Sequence, residues 1–276
     1  MDLSLRELTE SVIGDDRPEQ PFGTYVFSCT DPGAELGREI ERQVFLEYFG
    51  NSRELLAEEY EPYEPGSMFY CVIDHRRMSP AGVMRMIVPS AVGQKTLADV
   101  EQVWDRTPDE LFASVGTAVD PARIWDVSTL AVAADYRGRG SEGLISLALY
   151  QALFQAALPF AVDYFVTILD LVVLDLIQTR MGRPLSHFGG VEPKDYLDSP
   201  SSIPVYIDIL DYGVRLRQSH PPIHEILFEG TGIHEAVAPP PWQSAVARVL
   251  AAGSLALDED HNAVDSVTST TSRVTR

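Results

Sequence analysis

Residues 124–149 read "IWDVSTLAVAADYRGRGSEGLISLAL", and their reading decides the fold. Residues 123–136 are rich in β-branched and aromatic side chains and predict a long strand, while 140–158 predict a long, mostly apolar helix. Between them lies "DYRGRGSEG" (135–143), a turn that carries Gly138 and Gly140 among Arg137 and Arg139. A strand that enters a glycine turn and opens a helix leaves unpaired backbone N–H groups at the positive end of the helix dipole, which makes an anion site. The glycines permit close backbone approach, and the arginines add charge suited to a pyrophosphate. The same residues also fit an ordinary strand–helix turn. Neither the P-loop spacing with its Lys nor G-x-G-x-x-G is present, which argues against nucleotide hydrolysis and dinucleotide binding.

Upstream, "FGTYVFSCT" (22–30) predicts a strand and "PGAELGREIERQVFLEYFG" (32–50) a helix, with Leu36, Ile40, Val44 and Tyr48 at helical spacing. "SMFYCVIDHRR" (67–77) and "AGVMRMIVPS" (81–90) are strands close enough for an antiparallel hairpin. Residues 94–119 read as helical, with Thr96 and Thr107 as candidate N-caps ahead of acidic residues. Downstream come a strand at 162–169, a helix at 171–182 stopped by Gly182, and a strand at 202–210. An antiparallel start followed by strand–helix alternation predicts a mixed α/β domain. Its expected span is 22–255, after an N-terminal extension (1–21) and before an acidic, Ser/Thr-rich tail (256–276) read as disordered.

The 276-residue chain is 45% hydrophobic and carries a formal charge of -20. That charge argues against nucleic-acid partners, whose phosphates are bound mainly by Lys and Arg. The apolar run 144–177 is punctuated by Gln151, Gln155, Pro159, Asp163 and Asp170, so no membrane span is expected. The acidic N-terminus lacks the apolar core of a secretory signal, and a cytoplasmic location is expected. Cys29 and Cys71 read as reduced core thiols. The six histidines show no metal-ligand spacing, and the prolines of "HPPIH" (220–224) are expected to break helix geometry there.

The turn resembles the acyl-CoA signature of the GNAT superfamily of N-acetyltransferases, roughly V-x-P-x-x-R-G-x-G-x-[GA]. Val132, Ala134 in place of Pro, Arg137, Gly138 and Gly140 match in order, and Glu142 stands where the family has Gly or Ala. "WDVSTLAV" (125–132) resembles the W-E-x-S-R-[FL]-x-V strand of the autoinducer synthases and the related long-chain N-acyl amino acid synthases. Trp125, Asp126 for Glu, Ser128 and Val132 match, with Thr129 in place of Arg. "AGVMRMIVPS" is similar to the G-x-x-R-L-[IL]-x-P strand of that group, with Arg85 in the shared position, and "GGVEPKDYLDSPSSIPVYIDI" (189–209) is similar to its late segment. The resemblance implies a GNAT fold, a mixed sheet flanked by helices. It also implies transfer of an acyl group from acyl-CoA or acyl carrier protein to the amine of an amino acid or related small molecule. No bound cofactor is implied, the thioester being a substrate. The backbone of Leu130, Ala131 and Val132 would polarise the thioester carbonyl after a β-bulge; Arg137, Gly138, Arg139, Gly140 and Ser141 would hold the donor.

Acyl transfer to an amine needs the amine neutral, the carbonyl polarised and the leaving thiolate protonated. In a strand Asp126 and Ser128 share one face, with Trp125, Val127 and Thr129 on the other. The resemblance makes that first face the acceptor pocket, and Asp126 the group that holds or deprotonates the amine; a local cap or a partner for a structural arginine is its other reading. Arg85, a charge inside an apolar strand, either pairs with Asp126 or binds a substrate carboxylate. Gln178 occupies the position of the usual general-acid Tyr, and Tyr164 and Tyr206 read as core residues. A carrier protein is acidic and would need a basic patch, for which Arg137, Arg139, Arg180 and Arg183 are the candidates, so the overall charge favours CoA. A non-catalytic acyl-thioester-binding protein on the same fold is the alternative.

Overall fold

A computed structural model describes residues 4–14, 17–90, 92–116, 119–138 and 143–240. The tail (256–276) and four residues of the glycine turn, Arg139, Gly140, Ser141 and Glu142, lie outside the described residues. The strands are β1 (Phe22–Ser28), β2 (Ser67–Asp74), β3 (Ser79–Ile87), β4 (Ile124–Val132), β5 (Tyr164–Asp170), β6 (Ser186–His187), β7 (Lys194–Tyr196), β8 (Ser199–Asp208) and β9 (Val237–Ala238). The helices are α1 (Leu5–Ile13), α2 (Ala34–Phe49), α3 (Arg53–Tyr60), α4 (Lys95–Trp104), α5 (Pro108–Ala113), α6 (Leu144–Ala157), α7 (Leu171–Arg180), α8 (Ile209–Ser219) and α9 (Pro221–Phe228).

One mixed sheet runs in the order β6-β8-β5-β4-β3-β2-β1-β9, with β7 on β8. The segment from β1 to β4 is antiparallel throughout, whereas β4 and β5 are parallel, as expected where α6 makes the crossover between them. The larger core lies between the sheet and α6, where Ile145, Leu149 and Phe154 meet Met68, Tyr70 and Met84. The second core, on the other face, is made by Leu36, Ile40 and Val44 of α2 against Phe69, Cys71 and Val83, with Ile13 of α1 packed into it. Residues 4–14 of the N-terminal extension thus contribute a helix to this layer.

The helix expected around 94–119 is two helices, and its two threonines behave differently. Thr107 caps α5 in a reciprocal pair with Glu110, while α4 is capped at Gln94 and Thr96 lies one residue inside it. The expectation that "HPPIH" breaks helix geometry is corrected: Pro221 and Pro222 form the first turn of α9, where a missing N–H costs nothing and the fixed φ is already helical. α3 and the 3₁₀ turn that follows it (Glu61–Gly66) were not foreseen. Cys71 is buried, but Cys29 is half-exposed beyond the end of β1. Among the described residues no helix is long and apolar enough to cross a membrane.

Candidate functional site

The site starts from a parting of strands. β4 pairs with β5 only from Ile124 to Asp126, against Tyr164 to Val166. Beyond that point β4 stays on β3 as far as Val132, and β5 stays on β8 as far as Asp170, so the sheet forks. The backbone of Leu130, Ala131 and Val132 lies on the unpaired limb of the fork. At its base β4 carries a bulge: Val127 pairs with Met86 and Thr129 with Arg85, leaving Ser128 without a partner across the ladder.

The bulge corrects the expected side-chain alternation. Asp126 and Thr129 pair with Ile87 and Arg85, two residues apart on β3, so both face the same side of the sheet. Thr129 was expected on the opposite face, and the extra residue is what turns it over. Its hydroxyl donates to Glu41 of α2. Ser128 still serves Asp126, since its Oγ donates to Asp126 Oδ1 at 2.8 Å.

Asp126 is fully buried and sits at the N-terminal end of α4. Thr96 gives it a backbone N–H at 2.6 Å and a hydroxyl at 2.9 Å. Burial pushes its carboxyl pKa up to about 6, against the lowering effect of those Thr96 and Ser128 bonds. Ser128 is half-exposed at the fork, so its hydroxyl lies between the buried carboxylate and the opening.

Arg85 does not pair with Asp126. Its guanidinium is taken by Glu41, at 3.0 Å from Nε and 2.6 Å from Nη2, and by Glu64 at 2.8 Å from Nη1. Tyr60 of α3 lies over it with the ring centroid 4.1 Å from Cζ. The physical reason is charge density: two carboxylates on the α2–α3 side surround an arginine that is only 4% exposed, which satisfies its donors. A second buried cation, Lys95 at the start of α4, is held by Glu59 and Asp99, each at 2.7 Å, and by the Tyr196 hydroxyl at 3.3 Å. Tyr60 joins the two groups, because Lys95 Nζ lies 5.4 Å from its ring centroid and its hydroxyl donates to the Ser128 carbonyl at 3.4 Å.

On the donor side, Gly138 and Gly143 both have positive φ, 78° and 81°, a conformation suited to glycine, and Gly143 caps α6. Among the described residues Arg137 bonds to the end of β4 and to α2. Its Nε donates to the Val132 carbonyl at 2.6 Å, and Nη1 donates to Glu47 at 2.9 Å and to the Tyr48 hydroxyl at 2.9 Å, both on α2. Arg139, Gly140 and Ser141, expected to share in donor binding, lie outside the described residues. Gln178 clasps the backbone of Leu185, donating to its carbonyl at 2.6 Å and accepting its N–H at 3.2 Å. Tyr164 and Tyr206 pack edge-on against each other, 6.0 Å apart, with Phe112 and Phe188 beside them.

A separate recess of about 620 Å³ opens on the opposite face of α4, lined mainly by apolar groups such as Leu97, Phe112, Val119 and Ile124. Asp126, Ser128, Arg85 and Lys95 are not in its lining, so it is distinct from the fork. Among the described residues no group of three or more His, Cys, Asp or Glu side chains is arranged to hold a metal ion.

Comparison with solved structures places the architecture. The chain has a GNAT-like fold. FeeM, an N-acyl amino acid synthase from uncultured soil microbes, superposes with a TM-score of 0.55 at 15% identity, over 73% of this chain and 98% of its own. BjaI, a CoA-dependent acyl-homoserine lactone synthase solved with SAM and isopentyl-CoA, gives 0.50 at 16% identity, over 83% of this chain and 98% of its own. No family model matches the sequence, and the search of curated proteins found no match. Within the GNAT-like fold, sequence reasoning singled out Asp126, Ser128 and Arg85 but missed Glu41, Tyr60, Glu64, Lys95, Thr96, Asp99 and Tyr196. Two signals were available. Glu41 falls on the apolar arc of its helix beside Ile40 and Val44, and Lys95 and Asp99 stand four apart.

Proposed function

We propose that this chain is a cytoplasmic N-acyltransferase that moves an acyl group from acyl-CoA or acyl carrier protein to a small amine. The observation that carries the reading is the fork between β4 and β5, with the Ser128–Asp126 pair at its base. An acyl thioester lying along the unpaired limb would meet the backbone N–H groups of Leu130 and Val132, the alternate residues turned away from β3, suited to the developing oxyanion. The acceptor amine would give its proton to Ser128 Oγ as that hydroxyl passes its own to Asp126, whose raised pKa near 6 makes it ionised yet basic at neutral pH. The amine nitrogen then bonds to the thioester carbon, the C–S bond breaks, and the departing thiolate takes up one proton, giving an amide and a free thiol. Asp126 therefore acts through Ser128, since the buried carboxylate itself has no open face.

Arg85 and Lys95 are positioning groups in this scheme, both held charged by the carboxylates around them: those of Glu41 and Glu64 push the Arg85 pKa up, and those of Asp99 and Glu59 push up that of Lys95. Arg137 holds Glu47 and Tyr48 through Nη1 and the Val132 carbonyl through Nε, and its Nη2 has no hydrogen-bond partner among the described residues, so a donor phosphate would compete with Glu47 for its charge. The complete bonding of Asp126 favours one other reading, a non-catalytic acyl-thioester-binding protein in which that carboxylate is only a clasp for α4. Thiol release measured with a panel of acyl-CoAs and amines separates the two. Turnover that falls roughly a hundredfold in Ser128→Ala supports the acyltransferase. Binding of acyl-CoA without thiol release from any pair supports the clasp.

A further inference from the structure

We propose that the recess on the far side of α4 is a second binding site, for an apolar molecule that carries a hydrogen-bond donor and no negative charge, of the kind of an aliphatic amide or alcohol. Its volume of about 620 Å³ lies within the range of small-molecule cavities. Leu97, Phe112 and Ile124 are the buried apolar part of its lining, so a ligand chain would rest on fixed side chains. The helix α4 separates this place from the fork: Leu97, Ala98 and Glu101 turn to the recess, while Thr96 turns to Asp126.

One acceptor stands open within this apolar lining. Gln94 is 6% exposed, and its Nε2 donates to the carbonyls of Pro121 at 3.3 Å and Ile124 at 2.9 Å. Both partners only accept, which fixes the nitrogen on that side of the amide and turns Oε1 away from them. Oε1 has no hydrogen-bond partner among the described residues. It is not sealed in either, since the fully buried side-chain atoms without a partner are Asn51 Oδ1, the Tyr70 hydroxyl and Arg137 Nη2. The oxygen therefore meets open space, and the space that Gln94 borders is the recess.

The fold explains why this oxygen is free. Gln94 is the N-cap of α4, a position whose side chain ordinarily accepts from the N–H two or three residues on. Asp126 has taken that N–H, at Thr96, from the other side of the helix, and Gln94 makes no capping bond. Its side chain is drawn across to Pro121 and Ile124 instead, with an acceptor to spare. Charge narrows the ligand further. Glu101 and Asp109, both exposed, belong to the lining and form no ion pair among the described residues, and no described residue of the lining is Lys, Arg or His. A fatty carboxylate or a phosphate ester would meet two carboxylates and no cation there, whereas an uncharged donor satisfies Gln94 without that repulsion.

Octanamide, methyl octanoate and octanoate share one chain length and differ at the head, and each is titrated calorimetrically into the full chain. Octanamide should bind best, methyl octanoate roughly fivefold weaker for want of the donor, and octanoate about tenfold weaker or more. Ala98→Phe, at an exposed position of the lining, should fill the recess and weaken octanamide roughly tenfold, with a thermal midpoint near that of wild type showing that the variant folds. Glu101→Lys, also exposed, gives a second readout that does not depend on filling the recess: octanoate binding should rise several-fold. Ser128→Ala, at the base of the fork, should leave octanamide binding unchanged. Absence of octanamide binding, or equal affinity for all three ligands, overturns the proposal. So does octanamide binding that survives Ala98→Phe or is lost in Ser128→Ala, either of which would put the molecule at the fork. None of these readouts requires turnover, so the acyltransferase reading stands or falls separately.

Discussion

Asp126 joins stability to chemistry at a single atom pair. Its carboxyl ionises near the ordinary 3.8 in the unfolded chain but holds its proton to about 6 when folded, because burial disfavours the charge. A raised carboxyl contributes stability that is complete below the unfolded pKa and is lost as pH climbs through the folded one. Between pH 4 and 7 the cost should reach about 3 kcal/mol. Asp126→Asn removes the titration, so urea unfolding should show wild type losing about that much against the variant over this window and nothing further above it. In the same variant the acid limb of kcat/KM near pH 6 should disappear, with activity down by about two orders of magnitude. A variant that keeps both the limb and the rate would end the case for Asp126 as the proton acceptor. Much at this scale was legible beforehand, since Asp126, Ser128 and Arg85 are polar residues inside apolar strands. Their partners were not, because Glu41, Glu64 and Thr96 arrive from 21 to 44 residues away and only the packed sheet brings them in.

At the scale of elements, helices and strands were legible where the period was strong, as in α2, α6 and α7, and obscured where a local signal carried two meanings. Two prolines in "HPPIH" break a helix interior but begin α9, and Thr96 stands where a cap is expected but gives its donors to Asp126. The β7–β8 hairpin is a case the sequence disguised. Tyr196 pairs with Ser199, so Leu197 and Asp198 form a two-residue turn with φ of 45° and 63°. Such turns favour Asn and Gly, and leucine is a poor occupant because its Cβ crowds the backbone at positive φ. The turn is held by Asn51, which reaches it from the α2–α3 junction. Leu197→Asn should therefore stabilise the chain by about 0.5–1 kcal/mol, read as a rise in the urea midpoint at unchanged slope. A loss of stability would mean that the leucine side chain contributes more through packing than its backbone costs.

For the molecule as a whole, the strand–turn–helix of 124–149 and the antiparallel strands before it were enough to read a mixed α/β architecture. The fork was not readable, since it depends on where β4 and β5 stop pairing, and nothing along either strand marks that place. The whole-molecule arrangement also carries a link that no single element reveals. α2 packs on one face of the sheet, and its C-terminal end reaches round to Arg137 through Glu47 and Tyr48, tying that layer to the turn expected to bind the donor. With Glu47 in place, the guanidinium's charge is shared with a carboxylate that a diphosphate at the partnerless Nη2 would have to compete with. Glu47→Gln removes the competing charge while keeping the side chain's shape, and the pair is exposed enough that its loss should cost less than about 1 kcal/mol. If Arg137 is a donor ligand, this variant should bind CoA several-fold more tightly. At a fixed CoA concentration its thermal midpoint should therefore rise further than that of wild type, because a ligand stabilises the folded chain in proportion to the logarithm of its concentration over Kd. Arg137→Ala should abolish the extra shift in the Glu47→Gln background. An equal shift in all these variants would show that the donor is held by the fork and the backbone of the turn, and that Arg137 serves only to fasten α2 to the end of β4.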